Sequence, residues 1–255
     1  MRVQELFDLS GKVAIVTGGA TGLGRQMADA LADEGASVVL CARDGKRCEE
    51  AAAELGGRAL GLSCDVRHPE EIEEVVRRTR EELGRIDILV NNSGTSWGAL
   101  PEDVPLEGWQ KVIDVNLTGA FLFAQAVGRV LIQQGEGGKI VNVASIAAFR
   151  GVQPEAMNAL PYNTSKGGLV ALTRELAVKW ARHRINVNAI APGWFRTELS
   201  SETLDKSGEL LLARVPMARY GGPNDLKGAI VFLSSSASDY VTGHALAVDG
   251  GQLAS

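Results

Sequence analysis

The segment "PYNTSKGG", residues 161–168, sets a tyrosine and a lysine four residues apart and follows them with two glycines. On a helix, positions i and i+4 share a face, with Cβ atoms about 5–6 Å apart. That spacing holds the phenol of Tyr162 beside the ammonium of Lys166. A free phenol has a pKa of about 10, too high for efficient proton exchange near neutrality. An ammonium about 5 Å away, at an effective dielectric of about 20, favours the phenolate by about 3 kcal/mol, or roughly two pKa units. The pair therefore suits proton transfer at an oxygen. An aromatic and a lysine at this spacing also occur on solvated helix faces, so the rest of the chain decides the reading.

The elements that must position this pair are legible as an alternation. "KVAIVT" (12–17), "SVVLCA" (37–42), "ALGLSC" (59–64), "IDILV" (86–90), "KIVNVA" (139–144), "INVNAI" (185–190) and "ALAV" (245–248) read as strands. They are rich in Val and Ile and mostly apolar on both faces, as strands between two helix layers should be. Amphipathic segments separate them. Leu23, Met27, Ala30 and Leu31 recur at helical spacing, and "HPEEIEEVVRRTREELG" (68–84) opens with Pro and acids and stops at Gly84. The expected fold class is α/β, a single-domain doubly wound parallel sheet with helices on both faces. No repeat or linker marks a second domain, so residues 1–255 form one unit. The less regular stretch 193–222 follows a strand; within it, 194–220 is expected to be a mobile segment over the strand ends.

"TGGATGLG" (17–24) closes the first strand and opens the first helix. Gly18, Gly22 and Gly24 follow the spacing T-G-x-x-x-G-x-G, a variant of the dinucleotide fingerprint. Glycines allow a tight turn and close approach to a pyrophosphate, and the helix N-terminus offers free N–H groups and a positive dipole end. At the end of the second strand an acid would accept from a ribose 2′-OH, while a base would pair with a 2′-phosphate. The chain reads "LCARDG", with Arg43 just past Ala42, so NADP(H) is favoured over NAD(H). Asp44 either neutralises Arg43 or begins the next helix as an N-cap. "CDV" (64–66) puts Asp65 at the end of the third strand, placed for an adenine amino group, and "NNSG" (91–94) ends the fourth with another tight turn. Both also read as ordinary turn residues.

Composition removes other classes. Apolar residues make up 45% and charged ones 22%, with a formal net charge of −5. No basic patch points to nucleic acid or an anionic membrane; "RRTR" (77–80) sits in an acid-rich helix. His68, His183 and His244 match no metal-ligand spacing, so no metal is expected. Cys41, Cys48 and Cys64 form no CxxC pair and read as reduced thiols of a cytoplasmic protein. "MRVQELFDLSG" lacks a signal-peptide core, and no apolar run is expected to approach the roughly 20 residues that span a bilayer.

With these pieces placed, the chain resembles the short-chain dehydrogenase/reductase family over essentially its whole length. The resemblance rests on "TGGATGLG", "NNSG", "DVNLTG" (114–119), "VASIAA" (143–148), "YNTSKGG" (162–168), "APGWFRT" (191–197) and "VTGHALAVDGG" (241–251), in that order. It implies a Rossmann-type fold and a catalytic set of Asn116, Ser145, Tyr162 and Lys166. Tyr162 would be the acid in reduction and the base in oxidation. Lys166 would also bind the nicotinamide ribose, Ser145 would donate to the developing alkoxide, and Asn116 would hold a water linking Lys166 to solvent. The resemblance extends coenzyme contacts to Thr21, Leu23, Val66, Asn92, Gly94, Pro192 and Gly193, with Thr197 holding the nicotinamide carboxamide. It implies a homotetramer with the helix of Tyr162 at a subunit interface. The face of Leu169, Leu172, Leu176 and Trp180 fits that contact or an ordinary core face.

Two departures stand out. Ser93 replaces the family's usual Ala in the Asn-Asn-Ala-Gly turn, and the segment between Ser145 and Tyr162 is a few residues longer than the family norm. "VKWARHRINVNAIAPGWFRTEL" and "LKGAIVFLSSSASDYVTGHALAVDGG" most resemble gluconate 5-dehydrogenase-like members. The implied partner is a small-molecule alcohol or ketone, in a sugar acid or polyol. A 3-oxoacyl-thioester reductase and a non-catalytic NADP-binding scaffold are the alternatives. Arg150 or Arg196 is placed to pair with a sugar-acid carboxylate, unless both face solvent.

Overall fold

A computed structural model describes residues 2–155 and 157–255. Seven strands form one parallel sheet in the order β3-β2-β1-β4-β5-β6-β7. They are β1 Val13–Thr17, β2 Ser37–Ala42, β3 Ala59–Ser63, β4 Ile88–Asn91, β5 Gly138–Val143, β6 Ile185–Pro192 and β7 Ala245–Val248. Every strand expected from sequence is present, with ends shifted by no more than two residues.

Strand periodicity explains the layers. In β1, Ala14 and Val16 face one helix layer while Ile15 faces the other. The same alternation sends Val38 and Leu40 one way and Val39 and Cys41 the other. Because both faces are apolar, both must be covered. Helices α1 (Gly22–Asp33) and α2 (Gly45–Leu55) cover the first face with α8 (Lys227–Ser234). Helices α3 (Pro69–Leu83), α5 (Gly119–Gln134) and α6 (Leu160–Trp180) cover the second. Helix α3 begins on Pro69 and ends where Gly84 turns left-handed at φ 85°, as its sequence dictates. Leu169, Leu172, Leu176 and Trp180 pack within the chain, Leu169 and Leu176 fully and the other two partly buried. Of the two glycines after Lys166, Gly168 faces Leu117 so closely that a Cβ would stand 2.8 Å from its Cδ2.

Two features differ from the sequence reading. Helix α4 (Leu106–Ile113), a π-helical turn Asp114–Thr118 and α5 run as one helix, Leu106–Gln134. It is 29 residues long, and its most apolar 18-residue window has a mean hydropathy of 1.5, so by length and composition it could cross a membrane, correcting the expectation that no stretch could. Its most apolar window is 56% buried inside the domain, where Phe123, Val127 and Leu131 pack on the sheet and α3. Secondly, the stretch 193–222 holds a helix, α7 (Ser201–Leu212), whose Leu204 and Leu211 pack on Val152, Trp194 and Tyr220.

The order β1-β4 is where successive crossovers part to opposite sides, leaving a crevice beyond the strand ends. Thr17, 1% exposed, closes that point. Its Oγ1 accepts from the backbone N–H of Asn92 at 3.0 Å and of Ser93 at 2.9 Å. The Asn92 amide donates back to the carbonyls of Thr17 and Gly18 at 2.9 and 3.1 Å. A Thr17→Val substitution keeps the shape and leaves two N–H groups without an acceptor, at about 1–3 kcal/mol for each group so stranded. We expect a loss of about 2 kcal/mol or more in urea denaturation; an unchanged midpoint would show that the turn does not depend on this clasp.

Candidate active site

A cavity of about 520 Å³ lies beyond the carboxyl ends of β1, β4, β5 and β6. Gly18, Thr21, Gly22 and Leu23 form one wall, with Asn92 and Gly94 beside them. Ser145, Tyr162 and Lys166 lie deeper, and Pro192, Gly193 and Thr197 form the opposite wall. Thus both glycine-rich turns and the Tyr–Lys helix, far apart in sequence, meet in one crevice. The remaining candidates lie off its surface. Gly24 is buried behind the first turn, where a Cβ would stand 2.5 Å from the Asn92 amide nitrogen. Val66 packs against Gly119, so it shapes the wall through α5. Asp65 is clamped by Arg67, with Nη2 to Oδ2 at 2.6 Å, and that bond, with the adjoining charge, holds its carboxyl down at about 2. Arg43 is exposed at the end of β2, and among the described residues no hydrogen bond or ion pair engages its side chain. Asp44 resolves to the N-cap alternative, accepting from the backbone N–H of Arg47 at 3.0 Å.

Asn116 sits in the π-helical turn, 1% exposed, immediately behind the cavity. Its Oδ1 accepts from the Thr95 N–H at 2.8 Å; its Nδ2 donates to the Thr95 carbonyl and to Ser165 Oγ, each at 2.9 Å. Ser165 in turn donates to the carbonyl of Tyr162 at 2.7 Å. Both amide hydrogens of Asn116 are therefore committed to the protein, and only Oδ1 keeps a free lone pair. That oxygen and Lys166 Nζ lie 3.6 and 3.7 Å from where a Gly94 side chain would begin. The glycine keeps the gap between them open. Ser165 went unnoticed in the sequence, although it stands three residues after Tyr162 on the same helical face.

Ser145 Oγ accepts from the Ala147 N–H at 3.1 Å, which fixes the oxygen and leaves its proton free to donate. Lys166, 4% exposed, donates from Nζ to the Val143 carbonyl at 2.6 Å, and its ammonium stands 5.6 Å from the Tyr162 ring centroid. The sequence argument, in which the lysine lowers the phenol, is corrected here. Burial raises the Tyr162 phenol above its ordinary value, with the neighbouring Ser145 hydroxyl opposing, and burial brings Lys166 down to about 8. The through-space argument left out the cost of burial; in this crevice each charged form loses water, and that loss is the leading influence on both groups. Tyr162 is only partly buried by area, so solvent softens its shift, whereas Lys166 feels the full effect.

The residues present fit a nicotinamide dinucleotide. Gly18 and Gly22 turn left-handed at φ 61° and 55°, which sets the N-terminus of α1 facing the cavity. Thr197 Cγ2 lies 3.5 Å from where a Gly22 side chain would begin, so the opposite wall reaches across this turn. A cradle of free N–H groups and absent side chains is what a pyrophosphate requires.

Comparison with known proteins agrees. The family model described as Enoyl-(Acyl carrier protein) reductase matches residues 18–252. The 2-dehydro-3-deoxy-D-gluconate 5-dehydrogenase of Escherichia coli strain K12 is 42% identical over 252 residues, covering 97% of this chain and 98% of its own. A short-chain type dehydrogenase/reductase from Mycobacterium marinum superposes with a TM-score of 0.95 at 40% identity, over 98% of this chain and 99% of that one. A gluconate 5-dehydrogenase from Burkholderia cenocepacia J2315, solved in complex with NADP and tartrate, gives 0.94 at 34% identity over 100% of both chains. The chain belongs to the short-chain dehydrogenase/reductase family. It is a nicotinamide-dependent oxidoreductase that interconverts a secondary alcohol and a ketone.

The buried lysine makes stability depend on pH. Lys166 is held at about 8 in the folded chain against an ordinary 10.5. Between these values the unfolded state carries the additional proton, so this group makes stability rise with pH. The raised phenol acts oppositely, and only above its ordinary 10.0. Lys166→Met should therefore flatten the rise between about pH 8 and 10, read by urea denaturation across that range. An unaltered slope would place the lysine's folded pKa near its ordinary value.

Proposed function

We propose that the protein is an NADP(H)-dependent oxidoreductase of a sugar acid, and that Arg150 receives the substrate carboxylate. Arg150 carries this reading. It lines the cavity, and its Nε is buried without a hydrogen-bond partner among the described residues. Burial, and then the neighbouring Arg214, lower its hold on its proton, with Asp249 opposing. The Asp249 carboxylate is itself occupied by the N–H groups of Gly251 and Leu253 at 3.0 and 2.7 Å. A guanidinium remains charged under such pressure, so the cavity holds a cation without a hydrogen-bonded anion. Arg196, the other candidate, is exposed and already bridges Asp205 at 2.7 Å. The names of the relatives, and the dicarboxylate tartrate held by one of them, support the same class of substrate.

Within this reading, bound nicotinamide supplies or accepts the hydride. Tyr162 gives its phenolic proton to the substrate oxygen in reduction and takes it in oxidation. The free hydroxyl proton of Ser145 stabilises charge on that oxygen. Lys166 holds the nicotinamide ribose, and Asn116 fixes the Thr95 loop while its Oδ1 borders the water site beside Gly94. The cap, residues 194–220, moves to admit the substrate. NADP(H) is the coenzyme, supported by Arg43, which has no side-chain partner among the described residues. Exposed Leu106, Phe121, Ile132 and Val178 on α4, α5 and α6 support burial against other copies in a cytoplasmic homotetramer.

Tyr162→Phe should keep the fold and coenzyme binding and reduce turnover by about 10²–10⁴-fold or more. Near-normal turnover by the purified variant would remove the tyrosine from proton transfer. A screen of sugar acids, polyols, simple ketones and 3-oxoacyl thioesters, followed by nicotinamide absorbance, identifies the substrate class. Arg150→Gln should raise KM for the acid by about ten- to a hundred-fold and change KM for a neutral polyol little. Arg196→Gln should change neither. Equal effects of Arg150→Gln on acid and polyol would sink the carboxylate assignment.

A further inference from the structure

The β2–α2 turn carries three bases, Arg43, Lys46 and Arg47, and the structure treats each differently. Arg43 has no side-chain partner among the described residues. Lys46 lies 3.8 Å from Glu50, one turn along the same helix. Arg47 reaches out of its own region: its Nη2 bonds Glu198 Oε1 at 2.8 Å, 151 residues on. The Asp44 cap ties down the Arg47 backbone N–H, so the root of that side chain is fixed at the start of α2. Glu198 lines the cavity next to Thr197, which approaches Gly22 from the opposite wall. The glycine turn, the start of α2 and the cap therefore meet at one rim of the dinucleotide crevice. The Arg47–Glu198 bond crosses that rim.

We propose that Arg47 is a second ligand for a coenzyme 2′-phosphate, with Glu198 as its resting counter-ion, so that NADP(H) and the cap compete for one guanidinium. The inference rests on the NADP(H) reading above. Both partners are largely exposed, with side chains 50% and 75% accessible, and an exposed ion pair of this kind is weak. A phosphate carries nearly two charges and matches the planar guanidinium fork, so it displaces a single carboxylate. NAD(H) has no such group and leaves the bond in place. The exchange thus distinguishes the two coenzymes at the rim, apart from whatever Arg43 contributes.

The test is direct binding, by fluorescence titration of NADPH and NADH at one fixed ionic strength, with circular dichroism as the folding control. Arg47→Ala should weaken NADPH by about five- to ten-fold and leave NADH within about two-fold. Glu198→Gln removes the competitor and should tighten NADPH by about two- to five-fold, with a much smaller effect on NADH. In the Arg47→Ala background that gain should vanish, since the two residues act as a pair. Arg47→Ala shifting both coenzymes alike, or a Glu198→Gln gain that survives without Arg47, would overturn the proposal. Arg43→Ala separates this from the reading beneath it. If Arg43→Ala abolishes the NADPH preference while Arg47→Ala preserves it, NADP(H) selectivity stands and the role of Arg47 falls. If the wild type binds NADH as tightly as NADPH and no variant alters the ratio, both fall.

Discussion

The crevice depends on holding two turns together at the place where the sheet parts them. β1 and β4 are neighbours, yet the chain leaves them toward different helix layers, so their outgoing backbones lack strand partners. Thr17 and Asn92 satisfy those groups reciprocally: the hydroxyl accepts from the backbone N–H groups of Asn92 and Ser93, and the Asn92 side-chain amide donates to the carbonyls of Thr17 and Gly18. One turn faces the pyrophosphate site and the other, through Gly94, borders Lys166 and Asn116. The clasp therefore sets the spacing between coenzyme and chemistry. Gly24 reinforces it from behind, because any side chain there would collide with the Asn92 amide.

From this clasp a line of buried polar groups crosses the sheet. Asn91 donates to Asn142, Asn142 to Thr173, and Thr173 to the Leu169 carbonyl on α6. A parallel line runs from Thr95 through Asn116 and Ser165 to the Tyr162 carbonyl. Polar groups this deep are costly unless satisfied, and once satisfied they fix geometry better than apolar contacts. They hold α6, and with it Tyr162 and Lys166, in register with β4 and β5. The π-helical turn belongs to the same device, since π-turns inside α-helices commonly mark functional positions. It carries Asn116 at the point nearest the crevice.

The fold was largely legible because parallel strands buried on both faces leave continuous Val- and Ile-rich runs, and glycine turns punctuate them. The Tyr–Lys pair was legible for the same reason: helical spacing is local. What escaped was non-local or quantitative. Thr17 looked like the last residue of an apolar strand; only the fold brings Asn92 and Ser93 to its hydroxyl. The two arginines looked equivalent until the structure gave Arg196 a partner in Asp205 and, among the described residues, left Arg150 Nε without one. Helix α7 was hidden because its apolar positions are few and answer to Val152, Trp194 and Tyr220 rather than to the sheet. The proton affinities of Tyr162 and Lys166 depend on how much water the crevice excludes, which spacing does not reveal.

That small cluster has a consequence for how such a molecule changes over generations. Leu204 and Leu211, with Val152, Trp194 and Tyr220, pack as an island that shares no residue with the two layers flanking the sheet. Segments with few apolar contacts open at a fraction of the free energy needed to unfold the whole. Hydrogen exchange across α7 will therefore outpace exchange in β1 or β4. Mutations on the island do not couple to those in the layers flanking the sheet, since distant sites without shared partners contribute additively. Substrate preference can drift there while the proton-transfer apparatus stays under separate constraint, a modularity written into the packing rather than into the chain order.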